Sequence, residues 1–376
     1  MLSRPASDPQ VVLPRSCAWI EQGMQVGLHI GAQAYVALRR ASGWETIADF
    51  GLGQSRPGVP MTADTSMLWF SSGKPVGAVA ILQLVELGKL SLDDPVAVHI
   101  PEFAAHGKQA ITLRHILTHT GGFRWVDIDW RESWDDTIDR ICNVKIERNW
   151  VVGQTAGYHP FSSWYILGEV VRRVDGRPYG DYVRQEIFLP LGMLDSWVGM
   201  PLEQYEAYGN RLGVMQHLEK SEPAADRYDR PAAASVCVPG GNARGPMHDL
   251  GRFYQMLLEG GQLEGTRVLT DKSVRLMTTP QRVGQFDETF RHVMDWGLGM
   301  IMDNNRYDAE TIPYGYGKYS SPRTFGHGGK EASVGFADPD RQLVVTVVFN
   351  GMPGEAKHDV RMRSLLTALY EDLGFA

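Results

Sequence analysis

The amino-acid sequence predicts a mixed α/β (α+β) fold, with an antiparallel sheet built from both chain termini, flanked by helices, around a largely helical middle region. Strand-like segments separated by short turns fill residues 28–53, and strand signals return late, at 296–302, 324–329, 333–339 and 343–351. Between these two groups, apolar residues recur mainly at helical spacing. Because short connections favour antiparallel pairing, one sheet assembled from both ends is the expected arrangement.

The first elements of the chain are a helix that ends over Trp19–Gly27 and three predicted strands, LHIGA, AYVALRR and ETIADFGLG. Gly31 and the Ser42-Gly43 turn separate these strands. Later helices are predicted at four places: Ser163–Val174, Tyr179–Leu189, a segment starting near Asp249, and Asp359–Leu373.

The domain organisation follows from the same pattern. Residues 1–16 are predicted to form an irregular, proline-bearing lead and 17–376 one domain, with a sheet region of about 17–70 and 290–376 and a helical region of about 71–289. The 376 residues, 43% hydrophobic and 22% charged, indicate an ordinary soluble globular protein.

Charge and cysteine content exclude several classes of function. A net charge of −7 gives no basic surface for nucleic acid or an anionic membrane. The three cysteines are scattered, so neither a disulfide framework nor a zinc site is indicated. The apolar run Val11–Leu13 is too short for a signal peptide, and no stretch approaches the ~18 apolar residues of a membrane span. We therefore expect a cytoplasmic protein.

The segment FSSGK contains Ser71 and Lys74 at the start of a predicted amphipathic helix that Gly88 closes. Residues three apart share a helix face, so the lysine amine can reach the serine hydroxyl. A lysine in a poorly solvated site can take the proton of a serine, and a helix N-terminus can stabilise an oxyanion. By itself the pattern equally fits a helix cap followed by a solvated lysine, although no other Ser/Thr-x-x-Lys occurs in the chain.

Two other patterns favour structural roles. His115 and His119 are four apart, as metal ligands on a helix can be, but no third ligand is evident, so a helix–loop junction is the better interpretation. The segment YGYGK at 314–318 lacks the spacing of a phosphate loop and is interpreted as a flexible, tyrosine-rich loop.

Five segments in order resemble the serine hydrolases of the class C β-lactamase and penicillin-binding-protein superfamily. They are LWFSSGK, LVELGKLSLDDPV, ITLRHILTHTGGF, YHPFSSWYILGEVVRRVDG with PLGM after it, and FGHGG. The resemblance covers nearly the whole chain and implies a β-lactamase/transpeptidase-like fold. It also implies that Ser71 is the acylated nucleophile, Lys74 its partner, and Tyr158 the tyrosine that shuttles the proton.

The same resemblance implies a third motif at His327, Gly328 and Gly329, beside the substrate. The oxyanion hole would consist of the backbone N–H groups of Ser71 and Lys330. The two glycines suit a position where substrate lies close against a strand edge.

Two departures from β-lactamases bear on the substrate. His159 and Pro160 follow Tyr158 where β-lactamases carry a residue and then asparagine, so the group that touches a substrate amide is missing unless His159 replaces it. His327 stands where the lysine that pairs with a substrate carboxylate is found, and histidine is not a fixed cation near neutral pH. Both departures fit an esterase or an acyltransferase.

Three functions remain open at this stage. The first is a cofactor-free, metal-free serine hydrolase that acts on a small-molecule ester or transfers its acyl group. The second is a D-amino-acid peptidase, an amidase or a weak β-lactamase. The third is a catalytically silent ligand-binding protein, which gives no reason to retain Ser71, Lys74 and Tyr158 together.

Two aromatic stretches, Arg124–Trp150 and Asn305–Tyr319, are expected to lie near the nucleophile by family topology. Aromatic side chains beyond those a core needs suit a pocket for a bulky acyl group. Trp125 and Tyr316 are therefore predicted to contact substrate, and the alternative is that the tryptophans pack the first stretch onto the helical region.

Overall fold

A computed structural model describes residues 8–219 and 223–376. Nine strands of this described chain form one antiparallel sheet: β1 (Gly31–Arg40), β2 (Gly43–Arg56), β3 (Val59–Pro60), β4 (Arg282–Asp287), β5 (His292–Trp296), β6 (Ile301–Met302), β7 (Phe325–Gly329), β8 (Ser333–Asp338) and β9 (Leu343–Phe349). Their order across the sheet is β4-β5-β6-β7-β8-β9-β1-β2-β3. Strand β9 pairs with β1, so the two ends of the chain meet in the middle of the sheet, as the sequence predicts.

The helices lie before, between and after these strands. In chain order they are α1 (Pro9–Val12), α2 (Pro14–Gln25), α3 (Lys74–Glu86), α4 (Val96–His99), α5 (Leu113–Leu117), α6 (Trp134–Cys142), α7 (Ser162–Asp175), α8 (Tyr179–Val183), α9 (Leu202–Tyr208), α10 (Pro231–Ala234), α11 (Met247–Leu258), α12 (Asp271–Thr278) and α13 (Glu355–Asp372). Single 3-10 or π turns lie at Phe70–Gly73, Pro101–Gly107, Arg184–Phe188, Gly209–Arg211, Arg227–Asp229 and Asn305–Tyr307. Two-residue strands lie at Met67–Leu68, Gln216–His217, Ala224–Ala225, Arg244–Gly245, Gln262–Leu263, Thr266–Arg267 and Gly351–Met352.

Both faces of the sheet are covered. Successive side chains of a strand point to opposite faces. Accordingly, Ala34 and Val36 of β1 pack in a core with the terminal helices α2 and α13, whereas Tyr35 and Ala37 join the larger core that includes Leu250 of α11. Because both faces are buried, the middle strands are almost continuously apolar, as in LVVTVVF of β9, and do not alternate between apolar and polar residues.

The sequence prediction is wrong in three respects, two of them near the N-terminus. Residues 9–12 and 14–16 are helical where an irregular lead was expected, because Pro9 and Pro14 occupy the first helical turn, where proline is favoured. The helix end predicted over Trp19–Gly27 is confirmed, since α2 ends at Gln25. The predicted strand LHIGA does not form separately: residues 28–30 lie outside the sheet, and Gly31 begins the strand β1 that contains AYVALRR. The sheet region also starts at Arg282, earlier than the predicted 290. Residues 1–7 of the predicted lead lie outside the described residues.

The helix α3 runs through the middle of the molecule. It was predicted to be amphipathic, but every residue from Lys74 to Leu82 is buried. The reason is its position between the sheet and the helices α7, α8 and α12, which leaves no face to solvent. Within the described ranges, no helix has both the length and the hydrophobicity needed to cross a membrane.

Candidate active site

Ser71 lies in the 3-10 turn Phe70–Gly73 that leads into α3. The next residue, Ser72, anchors this turn to the sheet, because its Oγ donates to the carbonyl oxygen of His327 (3.0 Å) and lies 2.9 Å from Ser333 Oγ. Ser333 Oγ in turn donates to the carbonyl oxygen of Trp69 (2.6 Å). The hydroxyl of Ser72 is thus hydrogen-bonded to the sheet, whereas Ser71 lines the cavity.

Ser71 Oγ has two partners at hydrogen-bond distance. Lys74 Nζ lies 2.8 Å away, and the phenol of Tyr158 donates to Ser71 Oγ at 2.7 Å. Lys74 Nζ also donates to the carbonyl oxygen of Gly240 (2.6 Å). Gly240 has to be glycine here, since a Cβ would come within 2.8 Å of Lys74 Cγ and its φ is +69°.

Lys74 is buried among aromatic rings. Its Nζ lies 5.3 Å from the ring centroid of Tyr158 and 5.5 Å from that of Trp164. Burial lowers the pKa of Lys74 well below its ordinary value, because no carboxylate among the described residues pairs with it to offset the lost hydration. Burial also raises the pKa of Tyr158, so the phenol keeps its proton. The site therefore places an amine with a lowered pKa and a protonated phenol on one hydroxyl.

The strand β7 forms the wall beside Ser71. A Cβ on Gly329 would meet the carbonyl oxygen of Trp69 at 2.2 Å, and one on Gly328 would meet the Tyr314 ring at 2.2 Å, so the two glycines let the turn and the loop approach. Lys330 follows the strand and lines the same cavity as Ser71. Among the described residues, no backbone carbonyl accepts from the backbone N–H of Ser71 or from that of Lys330. Both N–H groups are therefore available to an oxyanion.

His327 is buried, with Nδ1 2.6 Å from the carbonyl oxygen of Gly328. Burial is the main cause that lowers the pKa of His327 to about 3, and a proton on nearby Lys74 would lower this pKa further. His327 is therefore neutral at physiological pH and cannot replace a lysine that pairs with a substrate carboxylate.

A cavity of about 820 Å³ opens above Ser71. Its aromatic lining residues are Phe70, Tyr158, Phe161, Tyr228, Phe290 and Tyr314. Its charged lining residues are Asp226, Arg227, Arg230, Lys330, Glu355 and Asp359. The volume and the lining are those of a site for a small organic molecule.

Three of the predicted substrate contacts do not line this cavity. His159 is fully buried, with Nε2 accepting from the N–H of Phe123 (3.3 Å). Trp125 is 60% exposed and stacks on Arg124. Tyr316 is fully buried and donates to the carbonyl oxygen of Ile301 (2.9 Å). In the loop 314–318 it is Tyr314, two residues earlier, that faces the cavity.

Two tryptophans of the stretch Arg124–Trp150 pack it onto the helical region, as the structural alternative predicts. Trp150 Nε1 donates to the carbonyl oxygen of Thr120 (3.0 Å), and Trp134 Nε1 donates to Glu169 (2.7 Å). They pack the stretch onto the helical region and leave the cavity to other residues.

The two histidines at helical spacing are structural. His115 closes a capping box at the start of α5, with Nδ1 accepting from the N–H of Thr112 (3.2 Å). His119 is fully buried, and its Nδ1 accepts from the N–H of His159 (3.1 Å). In the described part of the chain, no group of three or more His, Cys, Asp or Glu residues is placed to hold a metal ion.

Several cavity residues were not anticipated from the sequence. Phe161, Tyr228, Phe290 and the two acids of α13, Glu355 and Asp359, carry no local signal that places them near Ser71. The double glycine at 240–241 was the one available hint, since paired glycines often mark a close approach of backbone to another group.

The sheet assembled from both termini and the Ser71–Lys74–Tyr158 arrangement define a serine hydrolase of the β-lactamase fold. The model of the Beta-lactamase family matches residues 18–369, and the chain belongs to that family.

Relatives within this class include both penicillin-binding proteins and esterases. The chain is 30% identical to penicillin-binding protein 4 of Amycolatopsis lactamdurans, over 69% of this chain and 67% of that protein. It is 31% identical to the esterase EstB of Burkholderia gladioli, over 58% of each chain. The solved structure of a family VIII carboxylesterase superposes with a TM-score of 0.79 at 25% identity, covering 98% of this chain and 99% of that one.

Proposed function

We propose that the protein hydrolyses small-molecule carboxylic esters through an acyl-enzyme on Ser71, and that it can pass the acyl group to a small alcohol or amine. The observation that carries this proposal is the position of Ser71 Oγ, which lies 2.8 Å from a buried lysine amine and 2.7 Å from a tyrosine hydroxyl below an open cavity. A hydroxyl between a base and a proton donor is the arrangement that acyl transfer requires.

In the proposed first step, neutral Lys74 takes the proton of Ser71 while Oγ bonds to the ester carbonyl carbon. The negative charge that develops on the carbonyl oxygen is stabilised by the N–H groups of Ser71 and Lys330. When the C–O bond to the alcohol breaks, Tyr158 gives its proton to the leaving oxygen and takes one from Lys74. Water, an alcohol or an amine then gives up a proton through the same groups and bonds to the acyl carbon. The bond from that carbon to Ser71 Oγ breaks, Ser71 regains its proton, and the acid, the new ester or the amide is released.

The preference for esters over β-lactams rests on two features of the site. His327 is neutral, so the third motif offers no cation to a lactam carboxylate. Pro160 lines the cavity where an asparagine would contact an amide, and a proline ring has no such group. The similarity to proteins named as an esterase and a carboxylesterase supports the same preference.

A peptidase, an amidase or a weak β-lactamase is the second candidate. Arg227, Arg230 and Lys330 line the cavity and could hold a carboxylate in place of the missing lysine. The similarity to a protein named penicillin-binding protein 4 favours the same candidate.

The acyl group that fits the cavity best is bulky and aromatic. Phe161, Phe290 and Tyr314 offer apolar surface around the nucleophile. We therefore expect a higher kcat/KM for an aromatic acyl ester than for the acetate ester. Tyr314→Ala should lower kcat/KM for the aromatic ester more than for the acetate ester. The matched control is Trp125→Ala, which removes an aromatic residue outside the cavity. It should leave kcat/KM for both esters unchanged. Equal losses on the two esters in Tyr314→Ala would contradict this substrate preference.

Labelling with a fluorophosphonate, followed by intact mass and peptide mapping, tests the nucleophile. One adduct on Ser71 is expected, and none in Ser71→Ala. An adduct on Ser72, or undiminished ester turnover in Ser71→Ala, would contradict the proposal. Nitrocefin turnover as fast as that of activated esters would favour the second candidate, and no adduct at all would indicate a silent binding protein.

The proposal includes a cytoplasmic location. Cys17, Cys142 and Cys237 are free thiols in the structure, as is usual for proteins of a reducing compartment. Fractionation of cells that produce the protein checks this expectation, and recovery of the protein outside the cytoplasm would contradict it.

A further inference from the structure

Tyr158 differs from Ser71 and Lys74 in how its position is fixed. Ser71 and Lys74 are set by one turn and the helix α3, whose hydrogen bonds hold them at a fixed spacing. Tyr158 lies in an irregular segment that precedes α7, so no helix or strand ladder sets its place. A hydroxyl that must meet Ser71 Oγ at 2.7 Å therefore needs another constraint.

That constraint comes from the end of β4. Asp287 is fully buried, and its Oδ1 accepts from the backbone N–H groups of Tyr158 (3.1 Å), Thr289 (2.9 Å) and Phe290 (3.0 Å). Its Oδ2 accepts from Nη2 of Arg282 (2.9 Å), which is buried as well. One carboxylate thus joins the segment of Tyr158 to the hairpin between β4 and β5.

The same hairpin contacts Tyr158 from two other directions. Thr289 Oγ1 donates to the carbonyl oxygen of Tyr158 (2.9 Å), so both backbone polar groups of Tyr158 are bound to the hairpin. The ring of Phe290 lies 4.9 Å from the Tyr158 ring and also lines the cavity. The N–H of Glu288 donates to the carbonyl oxygen of Ala156 (2.9 Å), which extends the contact along the segment.

We propose that Asp287 is a positioning residue for proton transfer, which holds Tyr158 at the distance from Ser71 that acylation needs. This inference rests on the proposed roles of Ser71 and Tyr158. Asp287 contacts neither substrate nor the reacting atoms, and it acts through the backbone of Tyr158. Since displacement of a reacting group by about 1 Å can lower a rate by roughly 10²-fold, loss of the carboxylate should act mainly on kcat.

The first experiment compares Asp287→Ala with wild type, using an activated ester and rates normalised to the sites that a fluorophosphonate titrates. We expect kcat to fall by about 10- to 100-fold while KM stays within about threefold. Asp287→Asn keeps an oxygen acceptor for the three N–H groups, so it should recover most of the lost rate. A normalised kcat within about twofold of wild type in Asp287→Ala would overturn the inference.

A double-mutant cycle with Tyr158→Phe distinguishes positioning from a general loss of structure. Once the phenol is absent there is nothing left to position, so Asp287→Ala should change the rate of Tyr158→Phe by less than about threefold. The same fold-loss in both backgrounds would show that Asp287 supports the fold alone.

Asp338 provides the matched control, because it is an equally buried carboxylate that accepts from the N–H groups of Asp340 and Arg341 at the turn between β8 and β9. Asp338→Ala should lower stability and leave the normalised kcat unchanged. If Asp287→Ala fails to fold because Arg282 is left unpaired, Thr289→Val enters the same cycle, with an expected loss of about 3- to 10-fold. No loss in Thr289→Val would then overturn the inference.

The outcome separates this inference from the proposed function. If Ser71 is labelled and Tyr158→Phe is slow but the Asp287 and Thr289 variants are not, only the positioning role fails. If Ser71 is not labelled, the proposed function fails and the positioning role fails with it.

Discussion

Within residues 8–219 and 223–376, two lysines, Lys74 and Lys108, are almost completely buried, and they have different surroundings. Lys108 Nζ donates to three backbone carbonyl oxygens, those of Ala105 (3.0 Å), Cys142 (2.8 Å) and Val144 (2.5 Å). Lys74 Nζ has one carbonyl oxygen, that of Gly240, and the hydroxyl of Ser71. Three carbonyls match the three N–H groups of an ammonium ion, whereas one carbonyl and a hydroxyl suit a neutral amine with a free electron pair.

The pKa shifts follow this difference. Burial lowers the pKa of both lysines, and that of Lys74 falls well below its ordinary value. The comparison teaches that burial of an amine is not enough to make a base. Lys74 differs in two respects. Its partners leave one electron pair of the amine free to accept a proton, and the hydroxyl of Ser71 lies beside it at the cavity.

The largest expected effect is on acylation. Lys74→Met should slow fluorophosphonate labelling of Ser71 by about 10²–10⁴-fold, because general-base assistance is lost. Lys108→Met should leave the rate per folded molecule within about threefold, since Lys108 does not line the cavity and its amine contacts only backbone carbonyls. A comparable loss in both variants would remove the distinction between the two lysines.

The next effect concerns coupling to Tyr158. Tyr158→Phe alone should slow acylation by more than about tenfold, and adding it to Lys74→Met should cost far less than the product of the two single losses. When Tyr158→Phe is added to Lys108→Met, the loss of rate should equal the product of the two single losses, because Tyr158 and Lys108 share no partner. Single-turnover kinetics of the two double variants measures this, and a multiplicative result with Lys74→Met would argue against one proton-transfer unit.

Stability should respond in the opposite way. Lys108→Met leaves three buried carbonyls without a donor, so we expect the free energy of unfolding to fall by about 2–3 kcal/mol. Lys74→Met leaves only the Gly240 carbonyl unpaired and removes the cost of burying an amine, so its free energy of unfolding should change by less than about 1 kcal/mol. Urea denaturation of both variants tests this, and the reverse ranking would contradict it.

The smallest expected effect is on the pH dependence of stability. The folded pKa of Lys74 lies below its unfolded value of 10.5, so between these two values the unfolded chain binds one more proton. The free energy of unfolding therefore rises with pH in that window, by up to about 1.4 kcal/mol per pH unit. Lys74→Met should flatten this rise over the range from the folded pKa of Lys74 up to 10.5, whereas Lys108→Met should alter it only over a narrower range just below 10.5. An unchanged slope in Lys74→Met would mean that the amine is charged in the folded state.

Some features of the site and of the fold depend on residues that are close together in the chain. The sequence determined the spacing of Ser71 and Lys74, because residues three apart on a helical turn meet whatever surrounds them. It also determined that strands from both ends form one sheet, and the family to which the five segments belong. These properties depend on near neighbours in the chain or on the order of motifs.

Only the tertiary structure decided which side chains complete the site. The carbonyl of Gly240 reaches Lys74 across 166 residues, and Asp287 reaches Tyr158 across 129. Tyr314 faces the cavity while Tyr316, two residues on, is buried beneath the sheet. No pattern within a short window distinguishes such tyrosines, because the direction of a loop side chain is set by the elements that pack on it, here β7 and α13, and these come together only when the chain has folded.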